Sequence, residues 1–364
     1  MQALILVGGE GTRLRPLTST VPKPVVPLVD RPIISYMLEW LRGHGVSDVV
    51  MSCGFLASGV RNVLGDGADL GIRLRYVEEP QALGTGGAVK FAESLLDERF
   101  LMLNGDVLTD LDLGAQIEQH ERTGARVTLA LIPVEDPSAY GLVRLNPDRT
   151  VLEFLEKPSP DQIDTNLISA GAYVLEREVL SLIPPNTVYS IEREVFPRLV
   201  GEGLYGCPGR GYWLDIGTPD RYLEATFDIL ERNVATHVAL DTGFLEVAEG
   251  VASEGRVVPP AVVQSGCRIG PGSRVGSLAV LGRDVKVGQG ATIERAVVMQ
   301  GAEIGDGCHL EQCIVGAGSS VGSGTHIDGG AVLGEGVVVG AGNVLSAGAR
   351  IFPGVTLPDE AIKF

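Results

Sequence analysis

A chain of 364 residues is long enough for two domains, each with a core of its own. Hydrophobic residues make up 45% and charged residues 21%, the balance of a soluble globular protein, and no apolar run reaches the roughly 18 residues a membrane span needs. The net charge of −17 speaks against a nucleic-acid partner, which would want a basic face, but not against a nucleotide, which needs only a few local cations and backbone amides.

The chain enters an apolar strand at once, Ala3 to Val7, with no basic leader before it, so a cytoplasmic protein is expected. Five cysteines, Cys53, Cys207, Cys267, Cys308 and Cys313, form an odd set without a C-x-x-C pair. That fits reduced thiols better than a disulfide framework or a zinc site. Strand runs follow at Asp48–Ser52, Arg73–Val77, Phe100–Leu103 and Val127–Pro133, alternating with amphipathic stretches at Ile33–His44, Gly87–Leu96 and Leu113–Arg122. The alternation predicts a Rossmann-like α/β domain with a mixed, mostly parallel sheet covered on both faces. Such sheets bind ligands beyond the carboxyl ends of their strands, and Gly8–Thr12 and Asn104–Asp106 follow strands directly. A helix from Pro219 to about Asn233 closes this first domain, residues 1–235, and a linker is expected over 236–257.

From residue 258 the period changes to six. Aliphatic residues recur at Ile269, Val275, Leu281, Val287 and Ile293, then at Ile304, Leu310, Val315, Val321 and Ile327, often with glycine next. Residues 259–364 hold 22 of the 49 glycines, so the enrichment belongs to this half. A hexapeptide period of this kind predicts a parallel β-helix of three-sided coils over 258–364, sustained for about ten coils. It resembles the left-handed hexapeptide β-helices, an exception to right-handed crossovers. His309 and His326 are the only histidines in the repeats, and no long loop interrupts the coils, so acyltransferase activity is not expected here. The flat faces are expected to pack against another subunit, giving a homo-oligomer.

The opening, Leu6-Val7-Gly8-Gly9-Glu10-Gly11-Thr12-Arg13, is a strand running into a glycine turn whose amides can converge on phosphate oxygens. It is neither a P-loop, lacking G-x-x-x-x-G-K, nor a dinucleotide fingerprint, since Leu14 stands at the third glycine. About ten residues past Arg13, Lys23 is held between Pro22 and Pro24, a fixed backbone for a cation. G-G-x-G-T-R-L-x-P-x-T followed by P-K-P resembles the sugar-1-phosphate nucleotidyltransferases that make NDP-sugars. The resemblance continues through Leu83–Gly87, Asn104-Gly105-Asp106, Tyr140-Gly141, Glu156-Lys157-Pro158, Ser169-Ala170-Gly171, Ser190–Pro197 and Trp213–Gly217. As a whole the chain looks most like mannose-1-phosphate guanylyltransferases with a hexapeptide domain.

That resemblance implies an attack by a sugar 1-phosphate on the α-phosphorus of a nucleoside triphosphate, with pyrophosphate leaving. Such transfer needs charge neutralisation and alignment more than covalent help from the protein. Asp106 and Asp215 are implied as ligands of Mg²⁺, a role that suits hard carboxylates at strand ends. Leu6, Gly8, Gly9, Gly11, Thr12, Gly84 and Thr85 are implied in nucleotide binding. Arg13 is implied at the leaving phosphates, Lys23 at the α-phosphate and Lys157 at the sugar phosphate, while Gly141, Glu156, Gly171 and Glu194 match sugar-contacting positions. Where uridylyl- and thymidylyl-transferring relatives have a base-reading glutamine, this chain has Glu79. An ionised glutamate offers acceptors only, which suits N1–H and N2–H of guanine and repels O4 of uracil or thymine. GTP with mannose 1-phosphate is therefore the expected pair, unless Gln81 or a backbone group reads the base. The alternatives are a glucose-1-phosphate enzyme using dTTP, UTP or ATP, and a non-catalytic subunit that binds a nucleotide sugar.

Overall fold

The computed structural model describes residues 1–54, 56–236 and 245–363. They pack as two compact units that are not contiguous in the chain. The first is Met1–Gly9 with Ile34–Trp213; the second is Glu10–Ile33 with the chain from Leu214 onward. The sequence groups 1–235 together, whereas the segments 10–33 and 214–235 pack with the coils that follow them.

The first unit is built on nine strands: β1 (Gln2–Val7), β2 (Asp48–Cys53), β3 (Arg73–Glu78), β4 (Arg99–Asn104), β5 (Val127–Pro133), β6 (Gly141–Leu145), β7 (Val151–Glu156), β8 (Leu167–Glu176) and β9 (Leu204–Pro208). Their order is β7-β6-β8-β4-β1-β2-β3, with β5 also on β8 and β9 on β5. The β1–β2, β1–β4, β2–β3 and β5–β9 pairs are parallel. β8 runs antiparallel to β4, β5 and β6, and β6 to β7. The sheet is thus mixed, and more evenly than strand–helix alternation implies, because β6 to β9 carry no intervening long helix. Ala3, Leu4, Ile5, Val49, Val50 and Met51 are fully buried, as expected of central strands covered on both faces.

Helices α1 (Ile33–Gly43), α2 (Ala57–Leu64), α3 (Gly84–Phe91) and α4 (Leu113–Thr123) belong to this unit. At α4 the Asp112 side chain accepts from the Ala115 amide, and Gly124 at φ 60 ends the helix. Helix α3 begins three residues earlier than its sequence suggests, for a packing reason. A Cβ on Gly84 would lie 2.7 Å from the Tyr189 carbonyl oxygen, and one on Gly87 2.4 Å from that of Thr187. The Gly86 and Gly87 amides donate to the Tyr189 oxygen at 2.8 and 3.1 Å. These glycines start a helix because another stretch of backbone crosses them.

In the second unit, short strands stack into three parallel sheets of seven, seven and six strands, consistent with a left-handed parallel β-helix. Three hexapeptides make one coil, so the repeats counted in the sequence are sides of a prism rather than whole coils. The first strand is Leu245–Val247, ahead of residue 258. The period of six does run back through Val251, Val257 and Val263, but the next residues are Ala252, Val258 and Gln264 instead of glycine. Of the expected linker, residues 237–244 lie outside the described residues. Val263, Leu281, Val298, Val315 and Leu333 stack in register along the axis, as do Val275, Ile293, Leu310, Ile327 and Leu345. Helix α5 (Pro219–Glu231), capped by Thr218, completes the unit. All five cysteines are buried and free, and no described helix is long and apolar enough to cross a membrane.

Leu310 has no exposed surface and sits mid-axis. Leu310→Ala is expected to lower unfolding free energy by about 2–5 kcal/mol, read as a fall in the urea midpoint. A loss below about 1 kcal/mol would mean the axis is not a close-packed core.

Candidate active site

Beside the carboxyl end of β1 the neighbouring segments have room only for glycine. A Cβ on Gly54 would lie 2.7 Å from the Gly8 carbonyl oxygen, and one on Gly105 2.5 Å from Val7 Cγ1. The Leu6 carbonyl is already taken by the Gly105 amide at 3.0 Å. Gly9 has open space around it. Beside Gly8 lies the Glu79 carboxylate, whose Oε1 would stand 3.3 Å from a Gly8 Cβ. Ser52 Oγ donates to Glu79 Oε1 at 3.0 Å and the Leu83 amide to Oε2 at 3.1 Å. Two of its roughly four lone-pair sites are thereby used, and the half-buried carboxylate keeps acceptors on both oxygens.

Thr85, expected at the nucleotide, has its hydroxyl bonded within the protein. Its hydroxyl donates to Glu192 Oε2 at 2.5 Å and accepts from the Ile191 amide at 3.1 Å. Ser190 Oγ donates to the same Glu192 oxygen at 2.9 Å. Glu194, named from the sequence, is exposed, and its Oε2 caps the Ser190 amide at 2.7 Å. Residues Ile191–Val195 form a turn of π-helix, so α-helical or strand spacing cannot say which carboxylate faces inward. Glu192, which the sequence does not single out, is the carboxylate on which Thr85 and Ser190 converge. The available signal was Ser190, two residues ahead of it with a hydroxyl to offer.

Glu156 ends β7 half-buried, and its Oε2 would stand 3.1 Å from a Gly141 Cβ. Burial pushes its carboxyl above the usual glutamate range, and Glu192 adds to this, while Lys157 and Arg193 oppose it. Lys157 is exposed and left-handed at φ 53, its amide donating to the Tyr140 carbonyl at 3.0 Å. A lysine gains nothing locally from that conformation, and such strain concentrates where a side chain must be aimed. Gly171, at φ 71, has room for no side chain: a Cβ would meet Asn104 Nδ2 at 2.8 Å. The register of β8 on β5 slips there, between Ser169 and Tyr173. Ser169 Oγ is spent on the Tyr173 hydroxyl at 3.1 Å. Trp213 Nε1 donates to the Ala170 carbonyl at 2.8 Å, and its ring meets Tyr140 edge-on at 5.2 Å. Asp106, half-buried, lies two residues past the end of β4.

The remaining predicted residues belong to the second unit. Gly11 at φ 62 opens the 3₁₀ turn Thr12–Leu14, with Leu14 buried and Thr12 and Arg13 exposed. Thr18 Oγ1 donates to the Gly11 carbonyl at 2.7 Å. A Cβ on Gly11 would lie 3.2 Å from Lys23 Cβ, so the lysine stem runs beside the turn. Lys23 stands between buried Pro22 and Pro24. Arg13 and Asp215 converge on Gly217, where a Cβ would lie 3.0 Å from Arg13 Nη2 and 2.9 Å from Asp215 Oδ2. The structure therefore brings together Gly11 with Lys23, and Arg13 with Asp215; Asp106 belongs to the other unit. Among the described residues no three His, Cys, Asp or Glu side chains gather. The donor set is not an all-protein cage, and single half-buried carboxylates suit a hard cation that also takes phosphate and water oxygens.

The raised Glu156 carboxyl has a consequence for stability. An acid whose folded pKa exceeds its unfolded value favours the fold when protonated and loses that contribution as pH rises through the folded pKa. Glu156→Gln is expected to raise the melting temperature at pH 7–8, with the gain vanishing as pH falls through the ordinary glutamate range. Equal melting temperatures at pH 8 would show that Glu156 carries no cost in the fold.

Comparison with known proteins gives the family. A nucleotidyl transferase family model matches residues 2–232, and a GMPPB C-terminal domain model matches residues 257–362. The mannose-1-phosphate guanylyltransferase of Mycobacterium tuberculosis is 37% identical over 81% of this chain and 83% of its own length. A UTP–glucose-1-phosphate uridylyltransferase of Synechocystis is 30% identical over 82% of this chain and 83% of its own. The crystal structure of HddC from Yersinia pseudotuberculosis complexed with GMP-PN is similar at a TM-score of 0.54 and 27% identity, covering 62% of this chain and 97% of that one. With a model matched across the sheet unit and its signature turn, the chain belongs to the nucleotidyl transferase family and is an enzyme of that type.

Proposed function

We propose that the enzyme joins GTP to mannose 1-phosphate, giving GDP-mannose and pyrophosphate. The observation that carries this reading is the Glu79 carboxylate against Gly8, pinned by Ser52 and Leu83 yet holding free acceptors on both oxygens. Two adjacent acceptors match N1–H and N2–H of guanine, whereas O4 of a pyrimidine would meet them with repulsion. The guanylyltransferase and GMP-PN-bound relatives support the same base. The uridylyltransferase relative favours a second reading, UTP with glucose 1-phosphate, which places an acceptor against Glu79. A non-catalytic subunit would have no use for the full set of Arg13, Lys23, Asp106, Lys157 and Asp215.

In this reading an oxygen of the sugar phosphate attacks the α-phosphorus, and the bond to the β-phosphate oxygen breaks with its electron pair leaving on pyrophosphate. Amides of Gly8, Gly9, Gly11 and Thr12 face the triphosphate. Arg13 takes the leaving phosphates, Lys23 the α-phosphate, and Lys157 the sugar phosphate. Glu156 and Glu192, with backbone at Gly141 and Gly171, take the hydroxyls of the hexose; Glu192 replaces Glu194 in this role, and Thr85 acts by holding it. Nucleotidyltransferases of this family generally use a divalent metal ion; here Asp106 and Asp215 would hold Mg²⁺, which when bound neutralises phosphate charge. The cytoplasm and a homo-oligomer joined through the β-helix complete the proposal, the free buried thiols supporting the former.

A pyrophosphate-release matrix of five nucleoside triphosphates against mannose and glucose 1-phosphates is expected to peak at GTP with mannose 1-phosphate. No turnover with any hexose 1-phosphate sinks the proposal. Glu79→Gln is expected to shift the GTP-to-UTP ratio of kcat/KM by on the order of tenfold or more toward UTP. Asp106→Ala is expected to lower kcat at least about a hundredfold, and a variant as active as the parent would remove Asp106 from the reaction.

A further inference from the structure

The three outward rows of the β-helix differ in character. Two are mostly polar and largely exposed: Arg268, Lys286, Glu303 and Ser320 on one face before Val338, and Arg256, Arg274, Thr292, His309 and His326 on another before Val344. On the third face the outward residues are Val262, Val280, Val297, Ile314 and Val332, each no more than 3% exposed although they point away from the axis. Residues 10–33 and α5 lie along this face. Val29 and Tyr222 line one cleft with Val280 and Val297, and Gln264 Nε2 donates to the Val29 carbonyl at 3.4 Å. Tyr222 in turn donates to the Pro27 carbonyl at 2.5 Å.

The aliphatic row then breaks. The next strand places Arg350 in register with Val332. Its Nη1 donates to the carbonyl of Arg13 and to that of Arg15, both at 3.0 Å. One coil earlier, Glu335 accepts from Thr20 Oγ1 at 2.7 Å. The turn that carries Arg13 is thus held on two sides, by buried Leu14 below and by a guanidinium gripping the backbone on either side of Leu14. A charged donor on a main-chain acceptor is stronger than a neutral one, and two of them from one nitrogen fix both position and direction.

We infer that Arg350 is a positioning residue: the last coils of the β-helix preset the turn that presents Arg13 to the phosphates. It touches no substrate itself. Its role is to spare the enzyme the cost of ordering an exposed glycine turn each time a triphosphate binds. The kinetic side of this inference rests on the pyrophosphate-releasing reading above; the structural side does not.

Hydrogen exchange on the substrate-free, full-length protein tests the clamp directly. Arg350→Ala is expected to speed exchange across residues 11–19 by about tenfold, with Arg350→Lys between it and the parent. In pyrophosphate-release assays the same Ala variant is expected to raise KM for the triphosphate roughly five- to tenfold while kcat changes less than about twofold, again with partial rescue by Lys. Arg274→Ala, outward on a polar face, is expected to change neither. Parental exchange in Arg350→Ala overturns the clamp, even if no nucleotide pair turns over. Faster exchange with unchanged KM overturns the positioning role and leaves Arg350 as packing alone.

Discussion

Backbone must approach backbone at the carboxyl edge of the sheet more closely than any side chain permits, and the rest of the site is arranged around that constraint. A Cβ on Gly54 would lie under 3 Å from the Gly8 carbonyl oxygen and one on Gly105 under 3 Å from that of Leu6, while Gly171 is as close to the Asn104 side chain. The cost is backbone entropy in a region with little packing of its own. What results is main chain free of steric shielding, where amides and a few side chains can meet phosphate and base. Glu79 benefits directly: it stands over a residue with no side chain, tied by a hydroxyl and an amide from two other segments.

Charge is managed on the opposite principle around Glu156. Burial and then Glu192 raise the energy of the ionised Glu156, and the fold tolerates this by tying Glu192 to Thr85 and Ser190 and by setting Lys157 beside Glu156 in a left-handed conformation. None of these choices improves folding taken singly. Together they set two carboxylates and a cation side by side, the polarity that the proposed hexose 1-phosphate would meet.

The β-helix solves a different problem. Its axis is a repeated aliphatic stack that needs no help, so its faces are available for other work, and one of them carries the outward row from Val262 to Val332, covered by residues 10–33 and α5. A signature turn of glycine and arginine has almost no core of its own beyond Leu14. Packing it on a rigid prism, and ending the aliphatic row with Arg350, supplies the order that its own sequence cannot.

Much of this was legible in the chain. The runs at 3–7, 48–52, 73–77, 100–103 and 127–133 became strands, and the period of six became a prism, because burial repeats with the geometry of the element that buries it. The glycine turn, the proline-flanked lysine and the carboxylates after strands were readable for the same reason: a special backbone demands special residues. Tertiary structure alone decided the antiparallel half of the sheet, where strands are placed by distant partners. It also decided that Glu192 and not Glu194 faces Glu156, because a π turn breaks the local spacing. Finally, it alone joined residues 10–33 to coils more than 200 positions later, since a hydrogen bond from Arg350 to the carbonyls of Arg13 and Arg15 leaves no pattern in either segment.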